Sequence, residues 1–329
     1  MPVLVTGGAG YIGSHMVWEL IDHGEDVVVL DRLSTGFDWA VAPEAGLVVG
    51  DIGEYELVAK LLRDHKIDSV IHFAGSIVVP ESVSDPLAYY ENNTGKTRTL
   101  LQAVIDARVP HFIFSSTAAV YGNQGSEPIS EEAVTMPESP YGRSKLMTEW
   151  MLADASRAHD FSYTALRYFN VAGADPKGRT GQSTAGATHL IKVACETALG
   201  KREAIGVFGS DYETPDGTCL RDYIHVSDLV QAHRLALDRL RRGGANLVAN
   251  CGYGRGYSVL EVIDAVKRVS GNDFTVRMSD RRPGDPVAIV ARGDLARREL
   301  EWEPKLNSLD GIVRDALAWE QSLLLRNRR

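Results

Sequence analysis

The sequence predicts an α/β fold, a doubly wound parallel sheet followed by a smaller mixed α/β C-terminal domain. Three observations carry this. Short apolar runs alternate with helix-length segments through the first half of the chain. A glycine-rich turn joins the first run to the first helix. Beyond Phe169 the rhythm loosens into shorter elements and loops rich in glycine, threonine and aspartate.

The runs Val3–Thr6, Val27–Leu30, Leu47–Val49, Ser69–Phe73 and Phe112–Ser115 are continuous rather than alternating, as strands buried on both faces require. Ile12–His23 reads as the first helix, with Gly24 just past its end, and Glu54–His65 as the second. Leu87–Ala107 reads as one long third helix, with Asp85 as its N-cap and Pro86 in its first turn. Later helices are expected over His189–Leu199, Val226–Leu240, Val259–Val269 and Leu309–Leu325, with loops at Gly173–Gly186 and Gly209–Gly217. No proline- or serine-rich linker marks the domain boundary.

Composition narrows the class. Apolar residues make up 44% and charged residues 24% of 329, close to the globular norm, so a sizeable core is expected. The net charge of -9 argues against a general nucleic-acid binder, yet leaves room for an anion held by a few arginines. Cys195, Cys219 and Cys251 form no CxxC and no disulfide framework. The histidines show neither HxH nor HExxH, so no metal site is expected. The chain opens directly into a strand-like run and carries no apolar stretch long enough to span a bilayer, which reads as a soluble cytoplasmic protein.

Two motifs carry chemistry. Thr6-Gly7-Gly8-Ala9-Gly10-Tyr11-Ile12-Gly13 follows a strand and opens a helix. Gly7, Gly10 and Gly13 would permit a tight turn and close approach of a pyrophosphate to the positive end of the helix. Asp31 closes the second strand, where a carboxylate accepts from a ribose 2′-hydroxyl and repels a 2′-phosphate. NAD is therefore favoured over NADP, although Arg32 keeps the second choice open.

The other motif, Ser139-Pro140-Tyr141-Gly142-Arg143-Ser144-Lys145, puts Tyr141 and Lys145 four apart at a helix start, on one face. A phenol of pKa about 10 needs a drop of roughly three units, about 4 kcal/mol, to serve as a base near neutrality. One ammonium at about 4 Å supplies about that much at an effective dielectric of 20. Burial opposes the shift, and an oxidised nicotinamide would help it. Phe114-Ser115-Ser116-Thr117 ends a strand just upstream, so its hydroxyls would face the crevice at the carboxyl edge of the sheet.

With these motifs, the chain resembles the extended short-chain dehydrogenase/reductase family, and within it the nucleotide-sugar epimerases. The likeness runs through Ile71-His72-Phe73-Ala74-Gly75, Glu81-Ser82-Val83 and Tyr89-Tyr90-Glu91-Asn92-Asn93. It continues in Leu166-Arg167-Tyr168-Phe169-Asn170, Arg221-Asp222-Tyr223-Ile224-His225-Val226 and Arg281-Arg282-Pro283-Gly284-Asp285. The resemblance implies an NAD-binding Rossmann domain over 1–169, including the Tyr141/Lys145 helix. Residues 170–329 would be mainly a substrate domain, with some chain returning to the first.

The resemblance also implies a reaction. Tyr141 would take the proton of a sugar 4-hydroxyl while hydride passes from C4 to NAD. The 4-keto sugar would then turn over and receive the hydride on its other face, interconverting UDP-galactose and UDP-glucose. Thr117 would bond the 4-oxygen, and Lys145 would hold the nicotinamide ribose and depress the Tyr141 pKa. Gly7, Gly10, Tyr11, Ile12, Gly13, Asp31, Asp51, Ile52, Phe73, Ala74, Gly75, Asn92, Ser115 and Tyr168 would complete the cofactor site. Asn170, His189, Leu190, Phe208, Arg221, Arg282 and Asp285 would complete the substrate site, the arginines suiting a diphosphate. A homodimer is implied as well.

Three residues depart from the family pattern. Ile77 stands where members carry a cofactor-contacting lysine, and His189 where asparagine is usual. Ile289 stands where a bulky tyrosine excludes N-acetylated sugars, so its size implies some activity on UDP-N-acetylglucosamine. A UDP-uronate or UDP-pentose 4-epimerase remains open, whereas the intact Thr117, Tyr141 and Lys145 set argues against a catalytically silent NAD sensor. A 4,6-dehydratase is disfavoured, because family dehydratases follow the Ser/Thr with an Asp-Glu pair and here Ala118 and Ala119 follow it.

Overall fold

The computed structural model describes residues 1–282 and 285–326. The first six strands are β1 (Pro2–Thr6), β2 (Asp26–Asp31), β3 (Gly46–Val49), β4 (Ser69–His72), β5 (His111–Thr117) and β6 (Ser162–Tyr168). Then come β7 (Asn170–Ala172), β8 (Ala204–Phe208), β9 (Leu220–His225), β10 (Leu247–Cys251), β11 (Gly256–Ser258), β12 (Thr275–Ser279) and β13 (Ala288–Ile289). The helices are α1 (Tyr11–Asp22), α2 (Tyr55–Asp64), α3 (Val79–Ser84), α4 (Pro86–Tyr89), α5 (Lys96–Asp106) and α6 (Pro140–Ala158). They continue with α7 (Leu190–Ala198), α8 (Val226–Arg241), α9 (Val259–Ser270), α10 (Asp294–Leu300) and α11 (Leu309–Arg326).

The main sheet has the order β10-β6-β5-β4-β1-β2-β3, and all its pairings are parallel. Each face is covered. Val3, Val5, Val29, Ile113 and Leu166 pack with Met16 and Leu20 of α1 and Leu229 and Ala236 of α8. Leu4, Val28, Phe112 and Phe114 pack with Leu62, Leu100 and Leu152 from α2, α5 and α6. Burial on both sides is why the strand sequences are apolar at successive positions. Strand order reverses between β1 and β4, and the crevice beyond their carboxyl ends is where such sheets take ligands.

Gly24 lies past α1 with φ +77°, the left-handed cap expected of it. Asp85 accepts from Ala88 N at 3.3 Å, capping the Pro86 helix as its sequence suggests. The continuous helix expected over Leu87–Ala107 is interrupted: a π turn over Tyr90–Gly95 separates α4 from α5. The cause is tertiary. Asn93 is drawn inward, donating to Ser76 O at 2.9 Å and Ser144 Oγ at 3.1 Å and accepting from Ser76 N at 2.7 Å.

Two sheet strands, β6 and β10, lie outside the runs read from the sequence. After β9 the chain crosses back, α8 packing on α1 and β10 closing the sheet edge beside β6. The C-terminal region holds two smaller sheets, one built on β9 with β7, β11 and β13, the other pairing β8 with β12. Its core joins Ile191, Cys195, Val262, Ile263, Ile312 and Val313.

Candidate active site

The turn after β1 is built by close approach. Gly7 has φ +72°, and a Cβ there would lie 2.6 Å from Ala74 N, in the segment that follows β4. A Cβ on Gly13 would run into the carbonyl oxygen of Gly7. At Gly10 a Cβ would press on Gly7 O, at 3.3 Å. Gly10 is the N-cap of α1, with no side-chain cap and no acidic residue in the first turn. The first amides of α1 thus keep their affinity for an anion.

Asp31 is fixed beside this turn, Oδ2 accepting from Ala9 N at 3.0 Å and Oδ1 from Leu33 N at 2.8 Å. Each oxygen retains a lone pair for a further donor. Asp51 lies at the next strand end with Ile52 buried beside it. Burial alone would raise the Asp51 pKa, but Lys96 at 2.5 Å, the Gly53 amide at 2.8 Å and Arg32 at 3.7 Å bring it below the usual carboxylate range. Arg32 is thereby drawn toward Asp51. Tyr11 reaches across the molecule to donate its hydroxyl to Gly173 O at 2.7 Å.

The reacting groups meet at the other side of the crevice. Ser139 caps α6, accepting from Gly142 N at 3.1 Å, and Pro140 opens its first turn. A Cβ on Gly142 would lie 2.5 Å from Ala119 O, so glycine lets α6 settle onto the short turn after β5. That contact brings Tyr141 to Thr117. Burial pushes the Tyr141 phenol above its ordinary pKa, and a hydrogen bond from Thr117 pulls against the rise. Lys145 Nζ donates to Ser115 O at 3.0 Å and sits 5.0 Å over the Phe114 ring. Burial lowers its pKa to about 8, so it is mostly charged at neutral pH. The sequence assigned the downward pull on Tyr141 to Lys145. In the structure Thr117 pulls the phenol down, and the ammonium donates to the Ser115 carbonyl.

Further residues lie around these groups. The Ser115 and Tyr168 hydroxyls are hydrogen bonded, and Asn92 donates to Ser76 Oγ at 2.9 Å. A Cβ on Gly75 would lie 3.8 Å from Lys145 Nζ, so the segment after β4 passes directly by the lysine. Two side chains were missed by sequence reasoning. Asn93 holds Ser76 and Ser144 together. His233 of α8, kept neutral by burial that lowers its pKa to about 4, lies 5.0 Å from the Phe73 ring and 5.9 Å from Tyr168. His233 stands in no motif, and Asn93, though it ends the Tyr89–Asn93 stretch, shows its partners only in the fold.

On the C-terminal side, β7 follows β6 directly, and Asn170 pairs with Tyr223 of β9. Asn170, Gln182, His189, Leu190, Tyr223 and Trp319 line one pocket. Gln182 meets His189 Nδ1 at 2.7 Å. Arg221 is ion-paired with Asp285 and donates to Leu220 O at 2.8 Å and Pro286 O at 3.0 Å. Ile289 is its neighbour in strand register. Arg282 lies 3.7 Å over the Phe208 ring, where pairing of Phe208 with Ser279 brings the two segments together. Pro283 and Gly284 lie outside the described residues. Among those described, no group of three or more His, Cys, Asp or Glu could hold a metal ion, and no helix is long and apolar enough to cross a membrane.

Comparison with known proteins follows the same lines. The model of the NAD dependent epimerase/dehydratase family matches residues 3–252. The UDP-glucose 4-epimerase of Azospirillum brasilense is 59% identical, over 98% of this chain and 92% of its own. The crystal structure of UDP-glucose 4-epimerase from Brucella ovis in complex with NAD superposes with a TM-score of 0.94 at 45% identity, covering 96% of this chain and 97% of that one. The UDP-Glc/GlcNAc 4-epimerase from Campylobacter jejuni gives 0.86 at 44%, covering 98% and 99%.

Proposed function

The chain belongs to the NAD dependent epimerase/dehydratase family, and we propose that it interconverts UDP-galactose and UDP-glucose through a transient 4-keto sugar. Residues 1–169 form the NAD-binding part in this reading, and 170–329 mainly hold the nucleotide sugar. NAD fits the residues present. The uncapped α1 terminus at Gly10 and the fixed Asp31 carboxylate suit a pyrophosphate and an unphosphorylated ribose. When bound, NAD supplies a hydride acceptor that returns what it takes, so no net redox change occurs.

The protein's own work is proton transfer and orientation. Tyr141 takes the proton of the sugar 4-hydroxyl and later gives it back. Thr117, which draws the pKa of that phenol downward, positions the same oxygen. Lys145 keeps an ammonium beside Ser115 and Gly75. Arg221 and Arg282 meet the diphosphate, and Asn170, His189, Leu190, Phe208 and Asp285 complete the sugar-nucleotide wall. The observation that carries the reading is the seating of Gly142 on Ala119, which puts Tyr141 at Thr117, with Lys145 on the Ser115 carbonyl, in the crevice where strand order reverses. Ala118 and Ala119, which cannot move protons, favour epimerisation over dehydration.

A cytoplasmic homodimer belongs to this reading, supported by Val83, Leu87 and Trp150, apolar side chains exposed on α3, α4 and α6. The test is incubation of purified protein with UDP-galactose, with and without added NAD. UDP-glucose appears and no reduced cofactor accumulates in solution. A persistent 4-keto-6-deoxy sugar, or unchanged UDP-galactose in the presence of NAD, overturns the proposal.

A further inference from the structure

Behind the reacting groups lies a buried ion pair that the reaction above does not use. Glu149 follows Tyr141 and Lys145 on α6 at the same four-residue spacing. Its carboxylate is 5% exposed and faces Arg167 of β6, 7% exposed. The pair is forked, with Arg167 Nε donating to Oε1 at 2.9 Å and Nη2 to Oε2 at 2.5 Å. Oε1 also accepts from Ser116 Oγ at 2.5 Å. Arg167 Nη1 donates to Tyr121 Oη at 2.9 Å, which donates to Asn250 Oδ1 of β10 at 2.7 Å. A buried network satisfied in this way is rigid.

Its third bond goes to an informative place. Side chains alternate along β5. Phe112 and Phe114 pack with Leu152 of α6, and Ser116 follows on their side, whereas Ile113 joins the opposite core. Ser116 lies between the carbonyl that receives Lys145 and the hydroxyl that meets Tyr141. One bond from α6 therefore pins the strand between the two atoms that address the base and its lysine.

We propose that Glu149 is a positioning residue for the reaction: through Ser116 it sets α6 on β5, and so places the Tyr141 phenol and the Lys145 ammonium, while Arg167 neutralises its buried charge. The proposal rests on Tyr141 being the base. A merely stabilising pair would need Arg167 alone, and apolar residues of similar volume can replace such a pair.

Ser116→Ala removes the strand link and leaves the forked pair intact. Its kcat falls about 10- to 100-fold, with KM for UDP-galactose and bound NAD within about twofold. The acid-side limb of its kcat profile moves to higher pH as Thr117 loosens from Tyr141. Ser116→Thr, which restores a hydroxyl, restores most of the rate. The double variant Glu149→Met/Arg167→Met folds, by circular dichroism and melting, yet stays slow. Wild-type kcat and pH limb in Ser116→Ala, or full rate in the folded double variant, overturns the proposal. Tyr141→Phe is measured alongside. If it still turns over, the assignment of the base has failed; if it is dead while Ser116→Ala is normal, only the positioning role has.

Discussion

Replacing Thr117 with valine removes the one group that draws the Tyr141 pKa downward while keeping the side chain's shape. A hydrogen bond to a charged partner contributes about 1.5–3 kcal/mol, so its loss raises the Tyr141 pKa further. The base must be ionised to act, so activity is present above its pKa and lost as pH falls through it. Removing the hydroxyl moves that limb to higher pH and cuts the ionised fraction at neutral pH. The assay is kcat for UDP-galactose across pH in the NAD-saturated enzyme. Part of the rate returns at alkaline pH, and the remaining deficit measures the hydroxyl's contact with substrate. Thr117 also accepts from Ala119 N at 3.1 Å, so the variant loses about 1 kcal/mol of stability with that cap. Thr117→Ser, which keeps both bonds, behaves as wild type. A valine variant whose pH limb stays in place shows that Thr117 does not tune the base.

Further outcomes follow from the same geometry. Tyr141→Phe abolishes turnover and spares NAD binding, checked by product analysis and cofactor titration. Gly13→Ala weakens NAD binding at least about tenfold, ~1.4 kcal/mol, because its methyl collides with the backbone oxygen of Gly7; fluorescence titration checks this. UDP-N-acetylglucosamine is turned over at more than about a thousandth of the UDP-glucose rate, a gap near 4 kcal/mol, since Ile289 is the side chain in register with Arg221. Ile289→Tyr lowers that ratio in a competitive assay, and a slower wild-type rate removes the idea.

The parts of the site that were legible in the sequence are those made by adjacent residues. Gly7, Gly10 and Gly13 announce their turn because strand, turn and helix are consecutive. Tyr141 and Lys145 share a face by helical spacing alone. The parts that stayed hidden are made at a distance. The π turn at Asn93 answers to Ser76 and Ser144, and nothing in the local periodicity of Leu87–Ala107 interrupts a helix. β6 carries Arg167 and β10 carries Asn250, polar residues that disguise buried strands. Their cost is met by Glu149, Tyr121 and Ile129. Spacing likewise puts Lys145 near Tyr141 but does not say that its ammonium turns to the Ser115 carbonyl.

The contact between Gly142 and Ala119 bears on what this scaffold could become. Ala118 is 6% exposed, tucked under the helix that delivers the phenol. A carboxylate introduced there to drive elimination would have to enter an apolar seam with Val120, Leu146 and Phe169. It would also lever the helix away from the strand it leans on. Swapping two alanines for acids would therefore disarm the existing chemistry before adding a new one, and a change of reaction type would have to begin with the helix.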